Sequence, residues 1–247
     1  MQHTTWLCLR ESMLYTPRQS HPMSLPLILG LVLGASLALM VGLHFLYLAK
    51  ITDSIKIYPD GGKRLTAQRL IRNILPNSIF SGFLTIGMYW VLRVHFIDTE
   101  VDPEPLTALG QAVLVIGLYD FLYYCLHRFL FHEWEWMRSV HIVHHTVKFP
   151  TAGESLYVHP LENALGVLLL GACVWMVGPL SVLAFAIVLA VHSMLNVVIH
   201  SGLSFRHPVL RPIAFIVEKH AKHHTSMRAG NYASITPLPD LIFRTLD

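Results

Sequence analysis

Charge is scarce in this chain. Of its 247 residues only 13% are Asp, Glu, Lys or Arg, about half the share of a soluble domain, so an ordinary water-covered surface is excluded. The net charge of +3 forms no basic stripe and implies no nucleic-acid partner. Cysteine is equally sparse. Cys8, Cys125 and Cys173 follow no spaced framework, which argues against a disulfide scaffold and against a cysteine-based zinc site. Residues 1–22 have no periodicity and no basic start with a small-residue cleavage site. Residues 1–24 are therefore read as an N-terminal tail, with Met23 an alternative start. No internal repeat, low-complexity run or soluble linker interrupts the rest.

What takes the place of charge is hydrocarbon. Hydrophobic residues make up 53% of the chain and the mean hydropathy is +0.51. A membrane-crossing helix takes roughly 20 apolar residues. Leu25–Leu48, Ile74–Leu92 (with Pro76 and Asn77 near its start) and Leu106–Leu126 (which contains Asp120) meet that length. Leu161–Ile199 is too long for one span and is broken at Gly178-Pro179, so it reads as a hairpin or a re-entrant pair. The expected fold is all-α, a polytopic bundle of four to five spans. Loop charge orients it. Residues 49–73 carry Lys50, Lys56, Lys63, Arg64, Arg69 and Arg72 against Asp53 and Asp60, whereas 98–105 holds Asp98, Glu100, Asp102 and Glu104 with no base. The tail from His200 is again basic. Residues 127–160 and 200–247 are thus expected together on the cytoplasmic face.

Histidine is the exception to scarcity, with 16 copies, most of them clustered. His127 and His132 form H-x4-H; His141, His144 and His145 form H-x-x-H-H; His220, His223 and His224 repeat it. Positions i, i+3 and i+4 share one helix face, so each triplet presents three imidazoles in one direction. Random placement gives only about 0.1 copies of such a triplet, which makes two of them specific. Imidazole suits iron, zinc, copper and nickel, and eight facing rings exceed what one tetrahedral zinc can use. The boxes therefore point to two metal ions. Residues five apart lie about 140° apart on an α-helix, so the helix is expected to end or distort between His127 and His132. His159 and His200 fall on the same expected face and join the ligand candidates. His3, His21, His44, His95 and His207 read as boundary residues, and His192 as a packed polar group inside a span. Asp120 reads as a partner that orients a histidine, and Asn231-Tyr232 as a pair that bonds a ligand or caps the site.

On these residues the chain resembles the fatty acid hydroxylase superfamily, which includes sterol desaturases and sphingolipid hydroxylases. The match runs from Asp120 through His127-Arg128 and His132, His141 with His144-His145, His159-Pro160 with Glu162, His220 with His223-His224, and Asn231-Tyr232. It closes on Pro-Asp-Leu-Ile-Phe-Arg-Thr, where Arg244 stands at a position that is commonly glycine. The resemblance implies one membrane-embedded domain over 25–247, with its histidine-box region at about 106–247. It implies a cytosolic cap around two iron ions, with O₂ as co-substrate and hydroxylation or desaturation of a lipid. Electrons would come from a separate cytochrome- or ferredoxin-type donor with its reductase. The sequence agrees by omission: it has no Gly-rich dinucleotide fingerprint and no room for a fused haem or flavin domain.

Other classes stay open at this stage: a carotenoid hydroxylase, a catalytically silent metal-binding member, and a metal transporter. Transport sites usually lie at the bilayer midplane on broken helices, whereas these boxes lie just outside spans. No C-terminal retrieval signal is visible, so endoplasmic reticulum and bacterial inner membrane are equally compatible.

Overall fold

The computed structural model describes residues 25–59, 65–94, 96–98 and 104–247. The N-terminal tail 1–24, Asp60, Lys63, Arg64, His95, Glu100 and Asp102 lie outside the described residues.

Among the described residues, eight α-helices carry the fold. α1 (Leu25–Leu48), α2 (Ala67–Leu92), α3 (Pro105–Cys125), α5 (Pro160–Val177) and α6 (Val182–Ile199) are the long apolar ones, and five helices are long and apolar enough to cross a membrane. Shorter α4 (Glu135–His145), α7 (Arg211–His224) and α8 (Leu238–Ile242) build the cap. The expected hairpin is resolved as α5 and α6. α2 begins well before the apolar run at Ile74. Thr66 caps it by accepting from Arg69 N at 3.3 Å, and its polar first turns reach out of the bundle. There Arg69 Nε donates to Tyr157 Oη (3.1 Å), and Asn73 and Asn77 donate to Val158 O. Hydropathy alone misses such a start, because those turns are held by hydrogen bonds.

α1 packs on α6, α2 on α5, and α3 on both α5 and α6. Small and branched residues let these helices approach: Ala108, Val115, Cys173, Ala184, Phe185 and Val188 have no exposed surface. Outward-facing Phe45, Phe83, Leu114 and Trp175 are each more than half exposed. An apolar belt of that extent marks a lipid-facing surface. At one end of the bundle Ile97–Asp98 pairs in parallel with Leu180–Ser181, and Gln111 Oε1 accepts from Ser181 N and Oγ, both at 3.1 Å. The helix ends at Leu48, Ala67, Cys125, Pro160 and Ile199 gather at the opposite end, beneath the cap.

Candidate metal centre

The H-x4-H pair solves its spacing problem by a change of helix type. α3 runs directly into a π-helical segment, Leu126–Glu133, in which hydrogen bonds close five residues apart. That widens the turn and brings His127 and His132 to one side, with ring centroids 5.0 Å apart. The distortion expected between them is therefore real, and it occupies a whole segment.

Nine histidines converge under the cap in two groups. One contains His127, His132, His141, His145 and His223; the other contains His144, His200, His220 and His224. All nine are buried, and within each group the ligand atoms lie within 4.8 Å of one another. The two triplets divide in opposite senses. α4 gives its i and i+4 rings to the five-histidine group and its i+3 ring to the other; α7 does the reverse. The π-helical segment completes the first group, and His200, just past the end of α6, completes the second.

Hydrogen bonds on the outer nitrogen decide what the inner nitrogen can do. Nδ1 faces a backbone carbonyl in six rings. The partners are Tyr232 O for His127 (2.6 Å), Met227 O for His132 (2.9 Å), Tyr157 O for His144 (3.2 Å), Asn196 O for His200 (2.6 Å), Gly230 O for His223 (2.7 Å) and Val147 O for His224 (3.0 Å). A carbonyl can only accept, so each of these Nδ1 atoms carries the proton and each Nε2 presents a lone pair. His141 Nδ1 instead lies 2.9 Å from Glu162 Oε1, off the line of a hydrogen bond.

Those lone pairs face one another. His144 Nε2 and His200 Nε2 are 3.1 Å apart, and both have given their only proton to a carbonyl. Burial, reinforced at His200 by the neighbouring His144, lowers the imidazole pKa to about 4 at His144 and about 3 at His200. Burial first, then the adjacent rings, holds His141, His220, His223 and His224 well below the usual histidine range. At neutral pH the rings are neutral, and opposed lone pairs at that distance call for a cation between them. Spacing bears on which cation. Neighbouring Nε2 atoms stand 3.0 Å (His127–His141), 3.1 Å (His145–His223) and 2.9 Å (His200–His220) apart. Bonds of about 2.1 Å at right angles put nitrogens about 3.0 Å apart, whereas tetrahedral bonds put them about 3.4 Å apart. Donors at that spacing suit a metal ion of more than four coordination better than a closed tetrahedral site.

The model of the fatty acid hydroxylase family matches residues 112–245, more than half of the chain and all nine histidines. The chain belongs to the fatty acid hydroxylase family. Among curated proteins it is similar to Protein CER1-like 2 of Arabidopsis thaliana, at 31% identity over 67% of this chain and 28% of that one. It is also similar to Very-long-chain aldehyde decarbonylase GL1-10 of Oryza sativa subsp. japonica, at 29% identity over 66% of this chain and 57% of that one. The chain thus spans between about a quarter and three-fifths of the length of these relatives. No solved structure matches it.

The other candidates from the sequence lie around the centre. His159 stands outside both groups, where its Nδ1 accepts from Leu161 N at 3.1 Å and caps α5. Asp120 makes no hydrogen bond to a histidine among the described residues. It is buried and accepts from Ile235 N (3.0 Å), Thr236 N (3.1 Å) and Thr236 Oγ1 (2.5 Å), so it ties α3 to the segment that follows the last box. Tyr232 reaches the centre through its main-chain carbonyl, which accepts from His127, and through its ring, which lies 5.1 Å from that of His132 and 5.6 Å from that of His223. Asn231 is buried at φ 64° and holds the chain end, donating N–H to Thr245 O and accepting from Asp247 N through Oδ1. Arg244, where the family resemblance expects glycine, adopts φ 55°, a left-handed conformation that favours glycine.

Sequence reasoning missed most of what holds the rings. The carbonyls of Val147, Tyr157, Asn196, Met227 and Gly230 carry no side-chain signal. It also missed the buried pair Lys219–Asp240 at 2.7 Å. Asp240 further accepts from Tyr232 N (2.8 Å), Ala233 N (3.0 Å) and Thr245 Oγ1 (2.8 Å), and Lys219 also donates to Ala233 O. Placed one residue before a box on an apolar-faced helix, Lys219 was the available clue.

Proposed function

We propose that this protein oxidises a membrane lipid with O₂, by hydroxylation or desaturation, at two iron ions held by the nine clustered histidines. The observation that carries the reading is the set of buried, opposed Nε2 lone pairs, left free because each ring keeps its proton on Nδ1 and donates it to a carbonyl. His127, His132, His141, His145 and His223 would hold one ion; His144, His200, His220 and His224 would hold the other. When bound, the iron supplies the O₂ activation that attack on an unactivated C–H bond requires. The chain's own residues do the rest. The carbonyls fix each ring's tautomer and direction, the cap keeps water out, and the spans let an insoluble substrate arrive sideways from the bilayer.

Residues 25–247 act in this reading as one domain, with the boxes on the cytoplasmic side, where the basic loops support that orientation. Electrons would come from a separate cytochrome- or ferredoxin-type donor with its reductase. A second reading draws support from the relatives named as aldehyde decarbonylases: the same centre would act on a long-chain aldehyde. Product analysis separates the two. The test is metal analysis of the protein purified from iron-replete cells, followed by lipid mass spectrometry after incubation with O₂ and a reducing system. About two iron per chain is expected, together with an oxidised lipid that the His144→Ala/His223→Ala variant does not form. A single zinc, or product unchanged in the variant, overturns the assignment.

A further inference from the structure

His192 lies inside the bundle, eight residues before His200 on α6, and its partner Tyr119 lies eight residues before His127 on α3. Both helices therefore place this pair about 12 Å below the histidine groups, at bilayer depth. His192 Nε2 and Tyr119 Oη are 3.0 Å apart, with the rings edge-on at 5.0 Å. Tyr119 stacks on Tyr123 at 5.5 Å, and Tyr123 lies 5.5 Å from His127. The face of α3 thus carries an unbroken ladder of rings up to the centre.

His192 also lines a cavity of about 40 Å³ between α1, α2, α5 and α6, whose walls include Val32, Val167, Leu170 and Leu189 together with Thr85. The walls are nearly all apolar. The exceptions are His192 and Thr85, since Ser193 spends its hydroxyl on Leu189 O (2.7 Å) and Ser36 Oγ (2.8 Å). His192 Nδ1 and Thr85 Oγ1 have no hydrogen-bond partner among the described residues. Polar groups left unpaired in hydrocarbon are costly, and an ionisable one within a span usually serves a ligand.

We propose that this cavity is a binding site for the oxygen-bearing end of a long-chain lipid, a hydroxyl or carbonyl that pairs with His192 and Thr85. The site is independent of the oxidase reading above. A hydroxyl both donates and accepts, so it satisfies His192 in whichever tautomer Tyr119 selects.

The test is a binding measurement, so it does not depend on turnover. Retention of radiolabelled octadecanol and of octadecane would be compared for the purified protein in lipid nanodiscs. One net hydrogen bond corresponds to about tenfold in affinity, so wild type is expected to hold the alcohol about tenfold more tightly than the alkane. His192→Leu should erase that preference while leaving alkane binding unchanged, and His192→Gln, which keeps a donor, should restore most of it. If His192→Leu does not fold, Leu170→Trp fills the cavity from the apolar side and should weaken both probes together. Equal retention of alcohol and alkane by wild type overturns the proposal, and the cavity then holds water only. A preference that survives in His192→Leu also overturns it and places the oxygen elsewhere. Loss of lipid oxidation with the preference intact sinks the oxidase reading and leaves this site standing.

Discussion

The two histidine groups are built from the same pair of helices yet hang from different parts of the molecule. The five-histidine group takes its outer contacts from one short loop: Met227, Gly230 and Tyr232 supply the carbonyls for His132, His223 and His127. That loop is tied down by the chain's end, through Asp240, Thr245 and Asp247. The four-histidine group instead hangs from Val147 and Tyr157, in the connection between α4 and α5, and from α6 itself through Asn196. One group is thus fixed by the C-terminal knot and the other by the α4–α5 connection together with α6. The five-histidine group also has a carboxylate, Glu162, beside one ring. A near-symmetric pair of sequence motifs therefore produces two inequivalent sites.

Ligand number gives the largest expected difference. His200→Ala leaves three rings in its group and His132→Ala leaves four in the other. Metal content is expected to fall from about two per chain to about one in His200→Ala and to stay nearer two in His132→Ala, as elemental analysis would read. Equal losses would break the comparison.

Next in size is the knot. Asp240→Ala strands Lys219, whose side chain is 1% exposed, and removal of one partner of a buried pair costs about 3–5 kcal/mol. The variant should unfold at markedly lower temperature and lose the five-histidine metal before the other. Lys219→Met/Asp240→Leu should recover only part of the stability, because Tyr232 N, Ala233 N and Thr245 Oγ1 still lose their acceptor. Full recovery would mean that the ion pair alone matters. Glu162→Gln should weaken metal binding by about 10–100-fold, in the five-histidine group only. A titration with two resolved steps checks this, and a shift of both steps would contradict the separate scaffolding.

How much of this was legible in the sequence depends on whether side chains or main chain do the holding. Lipid demands about 20 apolar residues per crossing, so α1, α3 and the α5–α6 hairpin could be read directly. The i, i+3, i+4 rule made each triplet legible as a face. The rule does not say which of His141, His144 and His145 goes to which group, since that depends on how α4 and α7 meet. His200 could be placed as a candidate but not weighed, and His159 carried the same signal while serving as a helix cap. Asp120 was legible as a buried acid, but its partners lie 115 residues further on in the chain. The carbonyl anchors left no trace, because any residue type supplies a carbonyl.

The smallest expected effect comes from a departure that was visible in the sequence and acquires its meaning only from the backbone. Arg244 is held at φ 55°, where a side chain bearing Cβ costs roughly 1–2 kcal/mol relative to its preferred regions. The next residue closes the knot: Thr245 N donates to Asp240 O at 2.8 Å, and Thr245 O accepts from Asn231 N at 2.8 Å. Arg244→Gly removes that strain but also loosens the unfolded chain, which offsets roughly 0.5–1 kcal/mol of the gain. A net stabilisation of about 0.5–1 kcal/mol is expected, read as a small rise in unfolding temperature with the spacing of the histidines unchanged. The gain should appear as slower loss of the five-histidine metal to a chelator, with the four-histidine metal released at the wild-type rate. A destabilised variant would mean that the Arg244 side chain itself holds the turn, and the strain would then be a cost the chain accepts for a contact of the guanidinium.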